Sequence, residues 1–471
     1  MARWCAWLAN TFFFFLLTPA YAQQLPVTTY LPITDSGSSV RVGTITITGN
    51  KITKEHIVRR EFFLNEGDSM SYRDLFARMQ ETQNYLMNTA LFVEANMHVR
   101  SRVDDTVHLS VDLKERWYIF PLPYFKLVDR NFNQWWVEHK RSLERVNYGL
   151  KFMWYNFTGR KDNLYVYLIT GYNRQVQLKY EQPVIEKTMK HGVGILLRYS
   201  NQKEAIYDTR FNKQVFQKQE KFVREDRRVE LDYYYRPAIK SRHTIKLAFQ
   251  TVSIADSISK LNPSFFGSGT SVAYPEIAYH YHYFGADYTP YPTKGLLVKG
   301  ELLRRGFSSK LDMWQLTGRV QYTHPVSKKT QLQLEGWGSI KLPFEQPFYN
   351  RQMLGYSEIY MRGLEYYVVD GVAGGMGKAT LQTQVLGFTL NNPYKIKSLE
   401  RIPVRIMLKL YSDAGYIHAE KAATNMLNNK LLHTWGVGLD IVTIYDLVLK
   451  VEYSFNQLGN RGLFLHSKNE F

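Results

Sequence analysis

Few side chains in this 471-residue chain stand at spacings that do chemistry, and each catalytic candidate has a plainer reading. His280 and His282 lie two residues apart, which puts both imidazoles on one face of a strand, a spacing that a metal ion accepts. No third ligand is near in sequence, so they are expected to be interface histidines beside Tyr279 and Tyr281. Gly67-Asp68-Ser69 lacks the G-x-S-x-G surroundings of an exposed nucleophilic serine and suits a turn before a helix. Gly436 and Gly438 alternate with Val437 and Leu439, the mark of a closely packed strand face rather than a phosphate loop. No catalytic group, cofactor site or metal site is expected, and an enzyme is not indicated. Two other segments concern charge. One is Arg362-Gly363, inside a long break between strand-like stretches. The other is the strand ending Leu410-Tyr411-Ser412-Asp413-Ala414-Gly415-Tyr416. On that strand Val404, Ile406, Leu408 and Leu410 share one face while Arg405, Lys409 and Asp413 share the other, so Asp413 points away from the apolar side.

The elements that position these residues follow from one repeated pattern between Trp117 and Phe471. Stretches of about ten residues alternate apolar and polar side chains, as transmembrane strands do, and end in breaks rich in Gly, Pro, Asn and Lys. Val229 to Arg236 and Leu447 to Phe455 are the clearest. An apolar outer face and a charged inner face, repeated many times, describe a barrel with lipid outside and water inside. The expected strands centre near residues 120, 150, 167, 178, 196, 232, 247, 279, 299, 318, 334, 384, 408, 439, 451 and 466. That even number of sixteen suits a closed bacterial barrel. Long breaks near 201–226, 254–271, 341–376 and 414–432 are expected to be mostly extracellular loops, the first of them solvated rather than stranded.

Composition agrees. The mean hydropathy of -0.34 looks soluble, but barrels escape such averages because only alternate residues meet lipid. The 34 Tyr, 27 Phe and 9 Trp suit aromatic girdles. The start reads as a secretory signal over residues 1–22: Arg3, an apolar run from Trp7 to Leu17, and the A-x-A site of Ala20 and Ala22. The only cysteine, Cys5, lies inside it, so no thiol chemistry is expected in the mature protein. The net charge of +18 carries no nucleic-acid recognition motif, and a solvated lumen and anionic lipid headgroups account for it.

Residues 23–40 read as a flexible linker, followed by a compact unit over 41–115 with the order β-α-α-β-β. Val42 to Thr48 is a strand, Thr53 is the expected cap of a short helix to Arg60, and Ser71 with Asp74 resembles a capping box for a helix to Met87. Phe92 to Arg100 and Thr106 to Leu113 are two more strands. With its Leu86-Met87-Asn88-Thr89-Ala90-Leu91-Phe92-Val93 stretch, this unit resembles a POTRA domain, a periplasmic module found ahead of certain outer-membrane barrels. Only one such domain fits ahead of the barrel.

Within the 341–376 break, Leu354-Gly355-Tyr356-Ser357-Glu358-Ile359-Tyr360-Met361-Arg362-Gly363-Leu364 resembles the characteristic loop of the BamA/TamA superfamily. The Asp413-Ala414-Gly415 strand is similar to that family's Asp-x-Gly element. The resemblance implies that the loop folds into the lumen, where Arg362 and Gly363 are anchored by Asp413 and Gly415. It departs in three places. No second carboxylate follows on the next strand, where Gln382 and Gln384 stand instead. Met361 and Leu364 replace commoner residues. Asn469 is polar ahead of the terminal Phe471, the expected barrel-assembly signal. The implied fold is mainly β, a 16-stranded antiparallel transmembrane β-barrel over 117–471 preceded by one small α+β POTRA domain. The implied function is assembly and insertion of outer-membrane proteins, or translocation, with the POTRA capturing unfolded clients in the periplasm. A dedicated secretion pore or a passive channel is the alternative. Implied partners are outer-membrane lipids, unfolded outer-membrane or secreted clients, and periplasmic accessory lipoproteins. The first and last strands are expected to meet at a seam weakened by Pro121 and Pro123.

Overall fold

The computed structural model describes residues 39–127, 146–186, 188–308, 311–356, 358–391 and 401–466. Ala20, Ala22 and Phe471, expected at the signal cleavage site and the barrel terminus, lie outside the described residues.

The first unit runs β1 (Ser39–Thr48), α1 (Glu55–Arg59), β2 (Ser69–Ser71), α2 (Tyr72–Asn88), β3 (Phe92–Val103) and β4 (Thr106–Glu115). Its sheet has the order β2-β1-β4-β3, with β1 parallel to β4. Leu75, Met79 and Leu86 of α2 bury against Ile45, Leu109 and Val111 of the sheet, so one helix face and one sheet face make the core. Ser71 caps α2 as expected: its Oγ accepts from the Asp74 amide at 3.1 Å and donates to the Asp74 carboxylate at 2.8 Å. Thr53 does not cap α1, which begins after Lys54 without a side-chain cap. Its hydroxyl instead lies 3.2 Å from the Tyr118 hydroxyl and accepts from Asn156 Nδ2 at 2.9 Å, a junction with the barrel that competes successfully for it.

Sixteen strands follow in one antiparallel meander. The first five are β5 (Ile119–Leu127), β6 (Val146–Trp154), β7 (Asn163–Gly171), β8 (Arg174–Gln182) and β9 (His191–Gln202). A loop hairpin, β10 (Glu204–Arg210) and β11 (Lys213–Lys218), stands outside the main sheet. The meander resumes with β12 (Arg224–Tyr235), β13 (Ser241–Ile254), β14 (Ser271–Ala286), β15 (Gly295–Ser308), β16 (Leu311–Pro325) and β17 (Thr330–Leu342). A second excursion carries β18 (Gln352–Leu354) and β19 (Val369–Asp370). The last five are β20 (Ala373–Asn391), β21 (Arg401–His418), β22 (Leu431–Val442), β23 (Val448–Asn456) and β24 (Arg461–His466). Every expected strand centre falls inside one of these strands. The 201–226 segment differs from expectation, because its charged residues alternate on a paired hairpin rather than forming irregular loop.

The faces separate as a lipid-exposed barrel requires. On β22, Leu431, Trp435, Val437 and Leu439 are exposed while Leu432, Thr434, Gly436, Gly438 and Asp440 are buried. Charged residues concentrate inside, including Glu230, Glu276, Arg319, Glu335, Lys409 and Glu452. The sheet curls far enough for Tyr291, between β14 and β15, to donate to Gln382 of β20 and Asp440 of β22 at 2.8 and 3.0 Å. Among the described residues, β5 pairs only with β6 and β24 only with β23.

The first unit docks on the near-side turns. Arg236, just after β12, grips Glu61 with two bonds of 2.6 Å. Asn88 bonds the Asp287 carbonyl and the Thr289 amide, and Tyr85 donates to the Phe284 carbonyl. Arg116 holds Asp446, between β22 and β23, through bonds of 2.7 and 3.1 Å.

Candidate functional site: a clasp inside the barrel

The segment between β17 and β20 turns inward. β18 and β19 pair to close its neck. Met361 and Leu364 then bury in an apolar cluster with Trp337, Met376, Ile417 and Leu432, inward-facing residues of four barrel strands. This packing brings Arg362 to Asp413. The guanidinium Nε lies 3.0 and 3.2 Å from the two carboxylate oxygens, Nη2 makes a further bond to Oδ1, and the Arg362 amide donates to Oδ2 at 3.0 Å. Both side chains are almost wholly buried, 5% and 0% exposed, so the carboxylate is matched by charge and by hydrogen bonds at once.

Neutral groups also face the Arg362 guanidinium. Arg362 Nη1 donates to the Thr380 hydroxyl of β20 at 2.9 Å, and the guanidinium carbon lies 4.1 Å from the centre of the Tyr411 ring. Gln382 faces inward and accepts from Tyr291, whereas a register shift between Gln384 and Leu386 interrupts the alternation beyond it. The two glycines have separate reasons. Gly363 has φ +86°, and a Cβ there would come 2.9 Å from Ser454 Cβ; its carbonyl accepts from Asn456 Nδ2 at 2.7 Å. A Cβ on Gly415 would meet the Met361 sulfur at 3.1 Å. Gly436 and Gly438 leave room for Tyr411 and Lys409, whose side-chain atoms would lie 2.5 and 2.8 Å from their added Cβ atoms.

Beneath the clasp, Lys409 Nζ bridges Asp440 at 2.5 Å and Glu452 at 2.6 Å, and the Tyr411 and Ser454 hydroxyls are 2.6 Å apart. From above, the β10–β11 hairpin holds the loop: Asn212 donates to the Val368 carbonyl at 3.1 Å, and the Thr209 and Tyr356 hydroxyls meet at 2.8 Å. Sequence reasoning named Arg362, Gly363, Asp413 and Gly415, which the structure gathers within one cluster of contacts. It missed Thr380, Tyr411 and the Lys409 bridge. Tyr411 and Lys409 share Asp413's parity, a signal that was present. Nothing in sequence relates Tyr291 or Asn212 to this region.

His280 and His282 do not sit at an interface with lipid. They face inward with Lys299 and Arg319 around a cavity of about 580 Å³, and His280 Nδ1 is 3.3 Å from Glu301. Their parity with buried Glu276 and Ala278 puts them there.

The family model for POTRA, described as surface antigen variable number repeat, matches residues 40–116. In three dimensions the chain is similar to BamA from Haemophilus ducreyi lacking POTRA domains 1-3. That match has 15% identity and a TM-score of 0.50, covering 92% of this chain and 84% of the other. It is similar also to CdiB from Escherichia coli, at 11% identity and a TM-score of 0.51, covering 90% and 75% respectively. The chain thus has a POTRA domain, and over most of its length it shares the fold of these two proteins. No curated protein matches it by sequence.

In this POTRA-plus-barrel arrangement the domain junction carries its own electrostatics. Glu61 is wholly buried, which would raise its carboxyl, but Arg236 outweighs burial and holds it down at about 2. The carboxylate therefore stays ionised at any physiological pH, and the Glu61–Arg236 contact is a permanent tie rather than a pH switch.

Proposed function

We propose that this protein is a non-enzymatic outer-membrane factor that inserts or translocates client polypeptides, with its POTRA domain in the periplasm and its barrel embedded in lipid. The observation that carries this reading is the pair of sheet edges. β5 and β24 each have one strand partner among the described residues, and β5 contains Pro121 and Pro123. Proline supplies no ladder donor and is tolerated where its missing N–H faces an unpaired side, so β5 is a poor closing strand. A client strand can take the edge that β24 leaves weakly held, and then bud into the membrane. On the periplasmic side β3 pairs only with β4 among the described residues, leaving twelve residues of edge for β-augmentation by an extended client.

A second reading, passage through the lumen as in a secretion pore or channel, draws on the 580 Å³ inner cavity near His280, Lys299 and Arg319. One experiment separates the two. A disulfide linking β5 to β24, in a chain whose only native cysteine is Cys5, is scored by quantitative proteomics of the outer membrane. Loss of barrel proteins under oxidation, restored by reductant, supports the seam. Undiminished barrel proteins with the seam locked would sink it and favour the lumen. Depletion then distinguishes a general factor, where many barrel proteins fall, from a dedicated one, where one or two do. Any accessory lipoprotein would emerge from the same proteome as a co-depleted partner.

A further inference from the structure

We propose that Glu365, Glu452 and His466 form a site for one divalent cation of the zinc class, fastening the last barrel strand to the lumenal loop. The three side chains come from different parts of the fold: Glu365 from the inward loop two residues beyond Gly363, Glu452 from β23, and His466 from the end of β24. Their ligand atoms all lie within 4.8 Å of one another. His466 Nε2 is 3.5 Å from Glu365 Oε1 and 3.4 Å from Glu452 Oε2.

What points to a ligand is the state of those atoms. Glu452 is completely buried, and Lys409 occupies its Oε1, yet Oε2 has no hydrogen-bond partner. Both Glu365 oxygens and His466 Nε2 are buried and unpartnered as well. Four donor atoms thus converge, shielded from water, without a hydrogen bond between them, an arrangement that buried polar groups avoid unless something sits among them. A proton on Nε2 does not resolve it. One N–H serves one carboxylate at a time, and both separations exceed the roughly 2.7–2.9 Å of a charge-assisted bond. A zinc ion does resolve it. Bonds of about 2.0–2.2 Å at tetrahedral angles place neighbouring donors about 3.3–3.5 Å apart, which is the spacing of His466 Nε2 from each carboxylate, and the whole set lies within 4.8 Å.

Charge and chemistry agree. Glu365, Glu452 and Asp440 bring three negative charges, and Lys409 bridges the last two with a single positive one. Two carboxylates and one imidazole are a borderline-hard set suited to a zinc-class ion, with water at the fourth position. The Tyr360 ring stacks on His466 with centroids 5.0 Å apart and orients the imidazole plane, and Lys378 Nζ lies 4.8 Å from the Tyr360 centroid. Glu365 and His466 keep 14% and 19% side-chain exposure, an opening for the ion from the lumen. The site is independent of the insertase reading: it adds a cross-link between β24, which has one strand partner among the described residues, and a loop already held by Arg362.

The test uses the full chain refolded in detergent, stripped with chelator and titrated with Zn²⁺ or Co²⁺ alone. One ion per chain is expected, with the intense visible bands of tetrahedral Co²⁺. Glu365→Gln should weaken binding by more than the roughly 10–100-fold typical of an outer-shell partner, and His466→Ala should abolish the bands. The double variant His280→Ala/His282→Ala should bind as the parent does. If these variants misfold, judged by heat-modifiable gel migration, Zn²⁺ should still raise the unfolding midpoint of the unmodified chain. Absence of stoichiometric binding, binding indifferent to Glu365→Gln, binding lost with His280 and His282, or a midpoint unmoved by Zn²⁺ would each overturn the site.

Discussion

Replacing Asp413 by Asn tests whether the buried pair holds the inward loop. The substitution keeps shape and leaves an amide oxygen, but removes the charge facing a guanidinium that is only 5% exposed. Leaving such a cation without its partner costs about 3–5 kcal/mol, or between two and four decades in the docked-to-undocked ratio at roughly 1.4 kcal/mol per decade. Leu364, 3% exposed and two residues from Arg362, is a suitable reporter. A Leu364→Cys chain carrying no other mature thiol reacts with maleimide only when the loop opens, so its labelling rate follows the open population. Against that background D413N should raise the rate at least about 100-fold, the lower end of the same range. R362A should act similarly, and the double variant should be no faster than the quicker single one, because both remove one interaction. A D413N effect below about tenfold, equivalent to less than 1.4 kcal/mol, would refute the clasp, as would strictly additive single effects.

Other perturbations follow from the same geometry. Gly363→Ala should open the loop more than Gly415→Ala. The first forces a side chain to φ +86° with its Cβ 2.9 Å from Ser454, while the second needs no left-handed backbone and meets the Met361 sulfur at 3.1 Å and the Gly375 carbonyl at 3.2 Å; the same labelling assay ranks them. Lys409→Met should lower the urea midpoint of the barrel in vesicles by an amount corresponding to about 3–5 kcal/mol, because Asp440 and Glu452 lose their shared cation; a triple variant also carrying Asp440→Asn and Glu452→Gln should recover much of it. At the junction Glu61 sits below its ordinary value of 4.5, at about 2, so its stabilising tie is complete above pH 4.5 and fades as pH falls toward 2. Hydrogen exchange of residues 236–240 should be flat from pH 8 to 5 after correction for intrinsic rates and rise only in acid, whereas Glu61→Gln should raise it at neutral pH. Ser71→Ala should destabilise the POTRA domain by about 1 kcal/mol, read from its own hydrogen exchange.

The strands were legible because a period of two has one physical cause. A strand between lipid and water must send alternate residues to each, and β21 from Ile406 to Tyr416 alternates without interruption. Asp413's inward direction followed from that parity alone. What parity does not reveal is which inward residues meet, since that depends on the curl of the sheet. Tyr291 reaches Asp440, 149 residues away, and the Lys409–Glu452 bridge spans 43. His280 and His282 were misread for a related reason: six consecutive aromatic or histidine positions, Tyr279 to Phe284, blur the contrast between faces, and the neighbours Glu276 and Ala278 restore it. Thr53 was misread because a local capping rule ignores a competing partner 65 residues along the chain.

Capture at the POTRA can influence the seam only through elements in contact with both, and the β22–β24 region is such an element. At its turn beside the POTRA domain Asp446 accepts from Arg116 and Tyr288, and the Tyr445 hydroxyl accepts from the Trp117 amide at 3.2 Å. Those residues lie immediately ahead of β5, so the root of the first strand and the turn of the last strands are tied together even though β5 and β24 share no ladder among the described residues. At its other end Asn456 holds the Gly363 carbonyl, and inside the barrel Glu452 joins Lys409 on β21. The hairpin is gripped at both ends, while β24 beside it has one strand partner among the described residues. On the proposed insertion route, such a frame would let β24 part from β5 without dissolving the barrel, because the ties that fix the hairpin do not depend on the seam. The two proposed routes then differ in their demands: seam opening would leave the Arg362–Asp413 clasp intact, whereas passage through the lumen would need that clasp to break first. Locking the loop by a disulfide while leaving the seam free should therefore spare insertion and block only a lumenal route.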